Sequence, residues 1–418
     1  CKDTITLNAE DPGQQIDNMI GLAMAERPGP VHVDFPINID SSRSENIKND
    51  GQKKTPKPSP ESKYNIDAIA NAINHAEKPL LIIGPVVIRQ RAQDELISLV
   101  EKLQCAVMVT SKARGAIPED HPLYAGVMSG VYRTDTLEGC LVYKSDLIVA
   151  VGLDRMELLS PWRYPQPLIS IDSIGVSTDE IVGEPSIIAI GPLSDLLDSL
   201  RCAVRESQTW SSIEIQDYWD EALENLGAMS NELNAASVIS HARGIAPRNT
   251  ILTTEAGVYG RVNLYAWKVF EANTYFDSSG ANTMGFSIPA GLAASLVRPK
   301  QKTISLVGDG GFLMRAGELE TAARLNLALT VIIFDDGTLG MIRIKQRSKK
   351  YAREGVDISQ TDFVQLTESF GGVGWKVDTL NEFDLALRTA LKSDRLNVID
   401  VRLDPNIYAS HYKPIRGE

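Results

Sequence analysis

The chain has 418 residues, 43% of them apolar, with a formal net charge of -12. That length exceeds a single ordinary core and predicts two to three domains. The acidic balance argues against nucleic acid as a partner, since binding a phosphate backbone takes a concentrated basic surface, and no apolar run is long enough to span a bilayer. Four cysteines, Cys1, Cys105, Cys140 and Cys202, follow no metal-ligand or disulfide spacing. They read as free thiols in a reducing compartment, by default the cytoplasm.

In chain order, the first boundary is Ser41 to Lys63, where Ile47 is the sole aliphatic residue and Pro56, Pro58 and Pro60 alternate with polar neighbours. This reads as an extended linker. From Tyr64 to about Val204 an α/β rhythm follows, with helices near 66–76 and 92–103 and strands at 80–83, 106–109 and 146–151, which predicts a doubly wound parallel sheet. Gly84-Pro85-Val86-Val87 lacks the glycine density of a pyrophosphate loop, so scaffolding is the preferred role for this part. The remainder shows strand signals at 250–252, 303–307, 329–334 and 398–402 and an amphipathic helix over 316–325. The predicted organisation is 1–40, a linker over 41–63, a central domain over 64–205 and a last domain over 206–418. The fold class is α/β, with two doubly wound parallel-sheet domains preceded by a remnant of a third. His32, His75, His121 and His241 sit in ordinary strand, helix or loop contexts and are assigned no chemistry.

Two Asp-Gly pairs mark the last domain. Asp309 follows one buried strand and Asp336 the next, and a single βαβ crossover joins them, so both carboxylates are expected at the carboxyl edge of one sheet. An isolated Asp-Gly is most simply a turn; two on one edge suit a hard cation. Mg²⁺ takes oxygen ligands and commonly binds through one or two carboxylates plus phosphate oxygens. Gly310 and Gly311 leave room for an anion, and the following helix is expected to present free N–H groups.

The runs Gly308-Asp309-Gly310-Gly311-Phe312 and Asp335-Asp336-Gly337-Thr338-Leu339-Gly340-Met341 resemble the cofactor signature of thiamine-diphosphate-dependent enzymes, most closely the acetolactate-synthase-like branch. The resemblance implies Mg²⁺ held by Asp309, Asp336 and the main-chain carbonyl of Thr338, with Gly308, Gly310, Gly311 and Met341 along the cofactor. Asp335 stands where many relatives carry Asn. Residues 279–291 resemble the family's aminopyrimidine grip, with Met284 as the apolar wedge that bends the cofactor and the main chain of Asn282 and Met284 bonding the ring. Gly257, Val258 and Tyr259 occupy the place of a Gly-polar-His turn and would reach the diphosphate through backbone N–H groups.

Further likeness lies outside these motifs. Thr110 to Pro122 resembles a turn of the family's central domain, in which some relatives bind FAD; here FAD is the less favoured expectation. Residues 1–40 resemble the last helix and strand of the family's pyrimidine-binding domain. The glutamate that drives cofactor activation has no counterpart in the sequence, so this chain alone is expected to be inactive. The tail from Asp404, with Tyr408, His411, Tyr412 and Arg416, resembles a segment that folds near the active site. The implied activity is decarboxylation of a 2-oxo acid such as pyruvate with carboligation, within a homodimer or homotetramer. The alternatives are simple decarboxylation or a non-catalytic cofactor-binding role. Arg343 and Lys345 are candidates for pairing with a substrate carboxylate; Lys345 stands where biosynthetic acetolactate synthases have a Trp.

Overall fold

In a computed structural model, the described residues are 1–37, 65–131, 133–154, 157–158, 160–175, 185–408 and 414–415. The expected linker over 41–63 lies outside them. So do His411, Tyr412 and Arg416.

The N-terminal residues form a small βαβ unit. Strands β1 (Thr4–Thr6) and β2 (His32–Asp34) pair in parallel, and the helix Pro12–Met24 between them is capped by Asp11, which accepts from Gln14 N at 3.0 Å. The sequence reading foresaw the helix and β2 but not β1, three residues with no alternation long enough to signal a strand. Ile20, Met24, Phe35 and Ile37 of this unit are solvent-exposed. Arg27 ties it to Asp172 of the next domain at 2.7 Å.

Six parallel strands build the central sheet: β3 (Pro79–Ile83), β4 (Ala106–Thr110), β5 (Tyr124–Met128), β6 (Leu147–Val151), β7 (Leu168–Asp172) and β8 (Ile187–Ile190), in the order β5-β4-β3-β6-β7-β8. Most are buried on both faces, as parallel strands covered by helices must be. The helix Gln93–Leu103 shows why the cover forms, because Leu96, Leu99, Val100 and Leu103 fall on one face and are all buried. Asp94 and Glu95 in its first turn and Lys102 in its last match the helix dipole.

The second sheet comprises β9 (Ile251–Thr253), β10 (Tyr275–Phe276), β11 (Thr303–Gly308), β12 (Leu329–Asp335), β13 (Val373–Val377) and β14 (Asn397–Arg402), again all parallel, in the order β10-β9-β11-β12-β14-β13. The chain leaves β9 toward β10 on one side and β11 on the other. A crevice at the carboxyl ends of β9 and β11 is the place where doubly wound sheets bind ligands. One expectation is corrected here: the crossover from β11 to β12 is two short helices, Asp309–Arg315 and Glu318–Arg324, rather than one helix over 316–325. Asp309 is itself the first helical residue, and the break falls at Ala316-Gly317.

Candidate functional site

β11 and β12 pair in register, with Gly308 opposite Phe334, so the residues following them emerge side by side. Asp309 is 3% exposed. Its Oδ1 accepts from Gly310 N at 2.7 Å, and its Oδ2 accepts at 2.8 Å from Gly337 N, the residue after Asp336. Asp336 Oδ1 accepts from Thr338 N at 2.9 Å. The two carboxylates therefore converge on one loop. Burial, then the Asp336 charge, push the Asp309 carboxyl up to about 7. Burial pushes Asp336 up to about 6, with the Tyr408 hydroxyl beside it acting the other way.

Asp335, the third acid, points elsewhere: it is paired with Arg402 on β14 at 2.6 Å. Among the described residues neither Asp309 nor Asp336 has an ion-pair partner, and no group of three or more His, Cys, Asp or Glu side chains forms a metal cage. Two desolvated carboxylates on one loop, one raised by the charge of the other and neither in an ion pair, fit a divalent ion with oxygen-only coordination. Thr338 is buried, its hydroxyl donates to Val356 O at 2.9 Å, and its carbonyl already accepts from Gly340 N at 2.9 Å, leaving one lone pair.

Met284 and the acidic loop meet. A Cβ built on Gly310 would lie 3.1 Å from Met284 Cε, 3.0 Å from Leu339 Cδ2 and 3.1 Å from Ile358 Cδ1. An added methyl would thus fill a cradle lined by apolar tips, which suits an apolar ring held over a metal-bound phosphate. Met284 is half-buried between left-handed residues, Asn282 at φ +48° and Gly285 at φ +74°. Behind it, Glu255 Oε2 accepts from Ser287 N at 2.9 Å, and Oε1 is buried without a partner. Burial raises the Glu255 carboxyl, while backbone N–H groups at 285–287 oppose the shift. A cleft of about 590 Å³ opens on the outer face of this segment, lined by Met284, Phe286, Pro289, Arg315 and Glu318 among others.

Gly257 caps the helix Val258–Ala266, so the amides of Val258 and Tyr259 lie in its first turn, facing the switch point. The Tyr259 ring stacks on Phe334 with centroids 4.8 Å apart, and its hydroxyl accepts from Gly308 N at 2.8 Å. The amide of Gly308, expected along the cofactor, is thereby engaged, and Gly310 N is held by Asp309; the Val258–Ala266 helix has the freer N–H groups. Met341 is half-buried against the core. Arg343 bonds Asn406 Oδ1 at 3.1 Å and lies near enough to Asp336 to favour its charge. Lys345, two residues on, is exposed on another side of the helix Gly340–Ser348. Asn282 is exposed, with Arg261 on its Oδ1 at 3.2 Å.

Sequence reasoning assigned no role to Glu255 or to the Arg402 partner of Asp335. Glu255 had a signal, being an acid directly after a buried strand at the same sheet edge. Tyr408, named only as part of the tail, is 2% exposed and lies against Gly340 and Asp336.

A paired-carboxylate loop at the switch point of a parallel sheet places the chain among α/β proteins whose ligands sit outside the carboxyl ends of the strands. Residues 255–401 match the C-terminal TPP-binding domain of thiamine pyrophosphate enzymes, and residues 66–200 match their central domain. The chain belongs to the thiamine pyrophosphate enzyme family over these two domains. It is 28% identical over 408 residues to the probable acetolactate synthase large subunit of Methanocaldococcus jannaschii, covering 92% of this chain and 68% of that protein. It is also 26% identical over 402 residues to acetolactate synthase of Bacillus subtilis, covering 94% and 70%. The thiamine diphosphate-dependent 4-hydroxybenzoylformate decarboxylase of Rhodococcus jostii RHA1 shares the fold, with a TM-score of 0.77 over 96% of this chain and 76% of that one at 24% identity.

Proposed function

We propose that this chain carries the diphosphate- and metal-binding half of a thiamine-diphosphate-dependent enzyme that decarboxylates a 2-oxo acid, such as pyruvate, and joins the product to an acceptor. The observation that carries the reading is the convergence of Asp309 and Asp336 on the Gly337 loop with no ion-pair partner among the described residues. Asp309, Asp336 and the Thr338 carbonyl hold Mg²⁺; Gly257, Val258 and Tyr259 offer backbone to the diphosphate; Gly310 and Gly311 allow its close approach. Met284 would orient the cofactor, and Asn282 would supply main-chain contacts. When bound, the cofactor supplies the electron sink for loss of CO₂. The chain's own residues orient the 2-oxo acid: Arg343, at the rim beside Asp336, pairs with its carboxylate, and Lys345 points away. Met341, Leu339 and Ile358 exclude water from the reacting end.

The central domain acts as scaffold. At its own switch point Gly84 and Gly152 pack backbone on backbone, so that a Cβ on Gly84 would overlap Gly152 O; this leaves little room for the pyrophosphate of FAD. All four cysteines are free thiols, which suits a reducing cytoplasm. The exposed apolar side chains of the N-terminal unit suit assembly into a homodimer or homotetramer. No helix of the described residues is long and apolar enough to cross a membrane.

Calorimetric titration with thiamine diphosphate and Mg²⁺ tests the assignment. The parent should bind, and Asp309→Ala should weaken binding by about a hundredfold, from loss of a charge-assisted contact. Equal binding by both proteins would overturn the metal site. With no counterpart of the activating glutamate in the sequence, this chain alone should give neither acetolactate nor acetaldehyde from pyruvate; either product would overturn that expectation.

A further inference from the structure

The turn after β4, residues 110–119, is the sequence motif that the cofactor site does not use. It docks on residues 263–279 of the second sheet domain. Arg114 is fully buried and bonds both oxygens of Glu119 at 2.7 Å. Its Nη1 reaches Asn263 Oδ1 at 3.3 Å, its Nη2 the Trp267 carbonyl, and its guanidinium lies 4.3 Å from the Tyr275 ring centre. Glu119 exchanges backbone and side-chain hydrogen bonds with Val269, each at 2.9 Å. At Gly115, φ +82°, an added Cβ would overlap the Glu271 carbonyl, so the two backbones touch.

The last contact of this dock goes further. The Ser111 hydroxyl donates to Asp277 Oδ2. Asp277 follows β10 and precedes the proposed cofactor-gripping segment; its Oδ1 accepts from Ser279 N at 3.0 Å, and Asn282 N donates to Ser278 O at 2.7 Å. Three residues of that segment, Gly280, Asn282 and Gly285, are left-handed. Outside any ladder, such a backbone holds its shape only through anchors. Glu255 is the anchor at its far end.

We infer that Ser111 is a positioning residue for the cofactor: through Asp277 it fixes the near end of the segment that carries Asn282 and Met284. This rests on the thiamine-diphosphate reading above. It makes the central domain part of cofactor binding.

Hydrogen exchange and calorimetry together test it, on the full chain. In Ser111→Ala, exchange of a peptide spanning 277–286 should rise several-fold and cofactor affinity with Mg²⁺ should fall about tenfold, the size of one lost bond to a carboxylate. Ser111→Thr keeps the hydroxyl and should restore both. Parental exchange over 277–286 in Ser111→Ala overturns the clamp whatever the cofactor does. Failure of the parent to bind cofactor overturns instead the reading of Asn282 and Met284 on which it rests.

Discussion

Single atoms decide how closely the site is built. Gly311 lies under Glu255, and a Cβ there would overlap Glu255 Oε1 while lying 3.2 Å from Val307 Cγ2. Gly311→Ala should therefore destabilise the chain by about 1–3 kcal/mol through overpacking, read as a lower urea midpoint at unchanged slope. The need for glycine at 311 could be read from the Gly-Asp-Gly-Gly run, as room for an anion. The structure gives a second reason, a buried carboxyl behind it, which no local pattern announces. Asp335 shows the same limit: one residue from Asp336 in sequence, it takes a different partner because β14 brings Arg402 alongside.

Strand ends set the chemistry at the next scale. β11 and β12 deliver Asp309 and Asp336 to one edge; burial first, then the Asp336 charge for Asp309 and the Asp335 charge for Asp336, lift their carboxyls to about 7 and about 6. Unfolded, both would ionise in the ordinary carboxylate range. Between about pH 4 and 7 the folded chain thus binds more protons than the unfolded one, so metal-free stability should fall as pH rises through that window. Mg²⁺ bound there would have to displace those protons. Calorimetry in two buffers of different ionisation enthalpy should show release of about one proton per ion near pH 6, little above about pH 8, and tighter binding as pH rises between them. The elements behind this were legible because buried apolar runs bounded by Asp-Gly signal parallel strands. The short β1 and β10 were not, nor were β5, β7, β8 and β13, nor the break at Ala316-Gly317, where both residues keep helical dihedrals.

Across the whole molecule, the two sheets are joined by groups far apart in sequence. Ser111 and Asp277 are separated by 166 positions, which is why their contact was out of reach of motif reading even though each flanked a recognised motif. The Arg114–Glu119 pair is the main buried charge in the joint, with side chains 0% and 2% exposed. Arg114→Met leaves Glu119 buried without a counter-charge and should cost about 3–5 kcal/mol, whereas Arg114→Met with Glu119→Leu should recover most of it. Urea unfolding followed by tryptophan fluorescence and far-ultraviolet dichroism checks this. The two signals should coincide in the parent and separate in the single variant, where the sheets come apart in turn.

Met284 projects from a stretch whose course is written in the dihedral angles of Gly280, Asn282 and Gly285. Its heading therefore belongs to the main chain, and only its reach belongs to the thioether. Exchanging the side chain for a shorter or bulkier apolar one would retune how hard it presses without redirecting it, so heading and pressure are separate handles for natural drift and for redesign.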